Sequence, residues 1–447
     1  MDWKQLLSTR RIGQDTAGGD AVAEPRTAFS RDYDRIIFSS AFRRLQDKTQ
    51  VFPLAKSDYV RTRLTHSLEV ASVGRSLGML ASDVILRKQP DLKDFVIPQD
   101  IGTIVSTACL AHDIGNPAFG HAGESAIQEW FESSGAVGRG GIHGAEAQDL
   151  LKFEGNAQGF RTLCTLQQYP LRGGLQLTCA VLAAFTKYPR ASEVEASQCG
   201  GISGKKFGFM QSEADIFCEL AEEVGLVAKP GASKAWHRHP LAFLVEAADD
   251  ICYHVMDIED GFKAGYVSYE QVAALHRPWL SDARWERGLE IADTQRRVEY
   301  FRAITVGEMI REAIEVFEKN YDGLMNASFD EEFASQIARA EQFKAFKAVA
   351  KRDVYSARPV IEIEACGFEV MGGLLASFVG ALETKAMNLP TGRVRSRTLL
   401  GLLPNTGADL SKLGAYDRTL LATDFVSGMT DSFAVELYQR IRGISLP

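Results

Sequence analysis

Apolar residues recur every three or four positions along most of this 447-residue chain, and the Val/Ile/Thr alternation of half-buried strands is scarce. That period confines the chain to a helical architecture. The clearest stretches are 67–81 (SLEVASVGRSLGMLA), 102–111, 214–226, 241–257 and 432–441. Glycine and proline punctuate the gaps: GNPAFG after Ile114, SSGAVGRGGIHG from Ser133 and LVAKPGASKAW from Leu226. Two short segments, 207–210 in KKFGFMQ and 360–363 in RPVIEIEA, read as candidate strands, too little to alter an all-α class. The expected division is an N-terminal arm over 1–60, a central helical domain over 61–262 and a helical C-terminal region over 263–447, with no internal repeat.

Composition narrows what such a chain can do. With 58 acidic against 50 basic residues and a net charge of -8, a broadly basic nucleic-acid coat is disfavoured, whereas a local cluster of Lys, Arg and metal for a polyanion is not. The seven cysteines are scattered without a CxxC pair, as in a reducing cytoplasm. The N-terminus MDWKQLLSTRRIG lacks the apolar core of an export signal, and the most apolar run, 370–382, is short for a membrane span of about 20 residues.

Eight histidines make each position informative. His66 lies in RTRLTHSLEV, and His112 is followed by Asp113 at the end of an apolar helix that Gly115, Asn116 and Pro117 terminate. A lone histidine there is most often a capping or core residue. An adjacent, buried His-Asp pair needs a partner, and a divalent metal suits neutral imidazole plus carboxylate. Further on, Asp249, Tyr253 and Asp257 stand four residues apart on an otherwise apolar helix and share one face. His121 and Glu124, three apart, form a possible proton-transfer pair.

Taken in order, these residues resemble the HD phosphohydrolases, whose signature is H…HD…D. The runs HDIGNPAFGHAGE, FEGNAQGFR, LAAFTKYP and EAADDICYHVMDIED, with AFRRLQDKTQVFPL before and SGMTDSFAVELYQ after, resemble the deoxyguanosine triphosphate triphosphohydrolase family from about Arg31 to Arg440. The resemblance implies an HD-domain helical bundle with a helical arm and C-terminal extension. It implies metal ligation by His66, His112, Asp113 and one of Asp249 and Asp250, with Asp249 preferred for its spacing to Tyr253 and Asp257. Tyr253 and Asp257 are then expected at the sugar or triphosphate, Gln50 and Val51 at the deoxyribose, and Arg63, Lys187 and Lys206 at the phosphates.

The implied reaction is attack of metal-activated water on the α-phosphorus of a deoxynucleoside triphosphate, dGTP in the family's case, leaving tripolyphosphate intact. His121, held by Glu124, would protonate the leaving 5′-oxygen, although activation of the nucleophile by the same pair is an open alternative. Mn2+ or Mg2+ is the expected ion, with Fe, Co or Zn acceptable. A homo-oligomer is expected, with allosteric dNTP or single-stranded DNA as further partners and no membrane. Competing readings are another HD chemistry, such as a 5′-nucleotidase or phosphodiesterase, and a nucleotide-sensing or DNA-binding regulator on the same fold. A Walker-type site is disfavoured, because GGISGKK has the wrong glycine spacing and Lys206 where Ser or Thr is required.

Overall fold

The computed structural model describes residues 1–13, 26–51, 61–168, 171–404, 409–410 and 412–444. Of the expected arm, 14–25 and 52–60 therefore lie outside the described residues. Helices that matter for the site are α1 (Ala28–Phe38), α2 (Arg63–Lys88), α3 (Pro98–Ala111), α4 (Gly120–Ser134), α5 (Gly155–Arg161) and α6 (Cys179–Phe185). They continue with α7 (Pro240–Lys263), α8 (Thr294–Lys319), α9 (Arg358–Ala386), α10 (Ala415–Ser427) and α11 (Asp431–Arg442). Among the described residues there is no sheet, only isolated bridges, so the chain is all-α.

Local chemistry sets the helix ends. Thr62 and Thr65 form a reciprocal capping box at the start of α2, satisfying donors that a helix leaves orphaned. Pro98 and Pro240 open α3 and α7, where a missing N–H costs nothing.

One core gathers α1, α2, α3, α6, α7 and α8 and draws on all three expected segments, from Trp3 to Val354. In a second core the face of α4 bearing Ile127 and Phe131 packs with Val370, Leu374 and Phe378 of α9 and with Leu420 and Leu437 of α10 and α11. The C-terminal region thus folds back onto the helix that follows the His-Asp pair.

Both candidate strands are corrected. Residues 360–363 form the first turns of α9, because Pro359 favours a helix start, Arg358 pairs with Glu362 one turn on at 2.7 Å, and burial runs Val360, Gly367, Val370, Leu374. The 207–210 segment makes a single parallel bridge, Phe209 with Ala191. The run at 370–382 belongs to a helix of 29 residues that is long and apolar enough to cross a membrane, with mean hydropathy 1.6 over 18 residues. Half of that stretch is buried, its inner face covered by α4, α10 and α11, as in a core helix.

Candidate active site

Three helix segments bring the H…HD…D residues to one place. Arg63 and His66 occupy the first turn of α2, His112 caps the C-terminus of α3 with Asp113 next to it, and Asp249 comes from the middle of α7. The His112 Nδ1 faces the Cys109 carbonyl at 2.7 Å, so as an Nδ1–H donor it leaves Nε2 with a free lone pair. One donor atom from each of His66, His112 and Asp113 falls within 4.8 Å of the others. Asp249 Oδ1 reaches 3.2 Å from His66 Nε2 and 3.4 Å from His112 Nε2, whereas Asp250 makes neither contact.

Would these groups suit a divalent ion? Asp113 Oδ2 and His66 Nδ1 are buried without a hydrogen-bond partner, and an orphaned carboxylate oxygen among imidazoles is costly unless a cation satisfies it. The donor set therefore fits. Burial opposes the Asp249 charge, yet Lys187 at 2.7 Å, then His112 and His66, hold its carboxyl well below the usual range. For Asp113 burial is likewise outweighed, here by Arg63 at 2.8 Å and the two imidazoles, which bring it down to about 2. Asn116 Nδ2 also donates to Asp113 Oδ1 at 2.5 Å, fixing the carboxylate plane.

A second cluster sits beside the first. Phe119 adopts φ 63°, left-handed for a non-glycine residue, and starts α4 so that His121 and Glu124 lie in its first turns. The expected His121–Glu124 hydrogen bond is not formed among the described residues. Glu124 Oε1 instead accepts from the Gly155 N–H at 2.7 Å, and Oε2 faces Lys206 Nζ at 3.6 Å. Lys206 pairs more closely with Glu154, at 2.9 Å. The protein packed around the ring, then Arg63 and Lys206, push the His121 imidazole below its usual value.

Both lysines are thus already ion-paired, Lys187 to Asp249 and Lys206 to Glu154. Arg63 is likewise engaged with Asp113, and its other amino group lies so near Gly120 that a Cβ there would approach within 2.6 Å. On α7, Tyr253 and Asp257 share Tyr355, whose hydroxyl donates to Asp257 Oδ2 at 2.5 Å and whose ring lies 5.8 Å from that of Tyr253. Thr49 bridges Thr62, which sets Gln50 beside the start of α2 with a buried, unpartnered Oε1, while Val51 enters the first core.

Sequence reasoning missed Glu154, Tyr355 and Asn116. Glu154 and Asn116 stand in the quoted runs FEGNAQGFR and HDIGNPAFGHAGE, so the motifs held the signal. Tyr355 follows a π-turn over 350–354 and carries no local pattern.

A helix closed by His-Asp, with a histidine from an adjacent helix and an aspartate from a later one, defines an HD-domain hydrolase, and the HD domain family matches residues 63–165. Over 100% of both chains, the sequence is 41% identical to a deoxyguanosinetriphosphate triphosphohydrolase-like protein of Synechocystis and 38% identical to one of Pseudomonas aeruginosa. It is 29% identical, over 99% of both chains, to a deoxyguanosinetriphosphate triphosphohydrolase of Klebsiella pneumoniae. The chain belongs to this deoxyguanosinetriphosphate triphosphohydrolase-like family.

Proposed function

We propose that the protein hydrolyses deoxynucleoside triphosphates, dGTP foremost, to deoxynucleoside and inorganic tripolyphosphate. The observation that carries this reading is the convergence of His66, His112, Asp113 and Asp249 in a family that includes the deoxyguanosinetriphosphate triphosphohydrolase of Klebsiella pneumoniae. His66, His112, Asp113 and Asp249 Oδ1 would hold one divalent ion, Mn2+ or Mg2+, with Fe, Co or Zn compatible with the donors. Bound there, such an ion lowers the pKa of water and neutralises charge on the α-phosphate.

The chain's own residues supply the rest. Lys187 and Arg63 orient Asp249 and Asp113 and leave a positive field for the phosphates, to which Lys206 adds once the triphosphate competes with Glu154. Water attacks the α-phosphorus and gives up a proton to solvent, the P–O5′ bond breaks, and the 5′-oxygen takes a proton from His121. In the free protein its proton affinity is lowered by burial, Arg63 and Lys206. The triphosphate's negative charge cancels the effect of Arg63 and Lys206 and lets the imidazole carry that proton. Tyr253, Asp257, Gln50 and Val51 form the sugar side, where a 2′-hydroxyl would meet Val51 or the unpartnered Gln50 carbonyl. A homo-oligomer in the cytoplasm, open to regulation by dNTP or single-stranded DNA, completes the proposal.

The test is to strip the protein of metal, resupply Mn2+, Mg2+, Co2+ or Fe2+ singly, and analyse products from each dNTP and rNTP by phosphorus NMR. Deoxynucleoside plus intact tripolyphosphate, lost in His112→Ala and Asp113→Ala, is expected. Release of pyrophosphate or orthophosphate instead would refute it.

A further inference from the structure

The run SGMTDSFAVELYQ has no part in the chemistry above, yet its aspartate reaches two segments that do. Asp431, the first residue of α11, is 1% exposed. Its Oδ2 accepts the Thr49 N–H at 3.0 Å and the Thr49 hydroxyl at 2.5 Å, while Oδ1 accepts the Phe119 N–H at 2.9 Å. Alongside it, Lys48, 3% exposed, donates Nζ to the carbonyls of Asn116 at 2.5 Å and Ser427 at 3.2 Å. The Lys48 carbonyl in turn accepts the Arg63 N–H at 3.0 Å.

These bonds converge on three points of the site. Thr49 immediately precedes Gln50 and Val51. Phe119 is the left-handed residue that aims α4, and with it His121 and Glu124. Asn116 orients Asp113. A left-handed non-glycine residue is strained and persists only where its surroundings enforce it. A carboxylate this buried is costly unless hydrogen-bonded, and Asp431 spends both oxygens on segments more than 300 residues away in sequence, 382 and 312 positions distant.

We propose that Asp431, assisted by Lys48, is a positioning residue that sets the distance between the sugar-side segment 49–51 and the His121–Glu124 turn. This rests on the roles given to Gln50, Val51, His121 and Glu124 above. Such a clamp governs discrimination and turnover together, since displacement of a reacting group by about 1 Å costs as much as 100-fold in rate.

The experiment compares full-length wild type, Asp431→Asn and Ser432→Ala, the last a neighbour whose hydroxyl meets only the exposed Asp47. Asparagine keeps the shape and cannot accept all three donors. Expected for Asp431→Asn are unchanged Mn2+ stoichiometry, a kcat for dGTP lowered by about 10- to 100-fold per folded molecule and a smaller dGTP-over-GTP ratio of kcat/KM. Amide exchange should quicken in both 45–51 and 116–122, with Ser432→Ala matching wild type. If Asp431→Asn fails to fold, Thr49→Val, which removes one donor, should shift the same readouts less far in the same direction. Wild-type kcat and sugar discrimination in the folded variant, or faster exchange confined to α11, would overturn the proposal. A wild type inactive on every dNTP would refute the reaction instead, and the exchange pattern would still decide the clamp.

Discussion

His121 stands between two sets of charges, and its proton affinity reports on both. Arg63 and Lys206 push the imidazole down, while Asp113 and Glu154 pull it up. Lys206→Met removes one of the two cations that hold the imidazole down. The His121 titration midpoint, read from its ring proton by NMR, should therefore rise towards or above the ordinary 6.5, and a midpoint that stays or falls would contradict the assignment. Asn116 offers a second probe. Its amide fixes the Asp113 plane, so Asn116→Ala should weaken Mn2+ affinity by about 10- to 100-fold in equilibrium dialysis. Unchanged affinity would mean that Arg63 alone orients that carboxylate. The cluster of His66, His112 and Asp113 was legible as a candidate because imidazole next to carboxylate at a helix end has few uses. For Glu154 the run FEGNAQGFR marked the place but not the role, which depends on Lys206, 52 residues away, approaching it.

Helices place these residues through contacts that tolerate little change. The turn after Asp113 lies directly on the start of α5, where a Cβ on Gly115 would fall 2.0 Å from the Gly155 carbonyl oxygen and 2.1 Å from the Gly159 nitrogen. Gly115→Ala must push backbone from backbone, and Gly155 carries the N–H that holds Glu124. Loss of both thermal stability and turnover is expected. Gly138→Ala, with nothing within 4 Å of the new methyl, should leave both near wild type. A Gly115→Ala protein with normal melting and kcat would show that the turn can relax. The helical period along α2, α3 and α7 was plain in the sequence because each buries one broad apolar face. The partly alternating VIEI of 360–363 misled, because a pattern over four residues spans about one helix turn and fits a helix equally well, and only proline at the start and packing against α4 decide between them.

Across the whole molecule, the second core joins residues 118–157 to 370–437, so the C-terminal region is part of what holds α4 in place. Phe378, fully buried there, should cost about 3–5 kcal/mol when replaced by alanine, measured by chemical denaturation of the intact protein. A loss below about 1 kcal/mol would mean that this core collapses readily around a cavity. Long-range closure of this kind left no trace in the sequence beyond the apolar period of α9, because which helix covers which depends on packing between distant segments. All of this structure serves one proposed reaction, in which water attacks the α-phosphorus and the 5′-oxygen leaves. Single-turnover hydrolysis of dGTP in H2(18)O, with Mn2+ supplied and products resolved by phosphorus NMR and mass spectrometry, tests it most directly. One 18O at a terminal phosphorus of intact tripolyphosphate and none in deoxyguanosine is expected. Label in deoxyguanosine, or dGMP with labelled pyrophosphate, would contradict it.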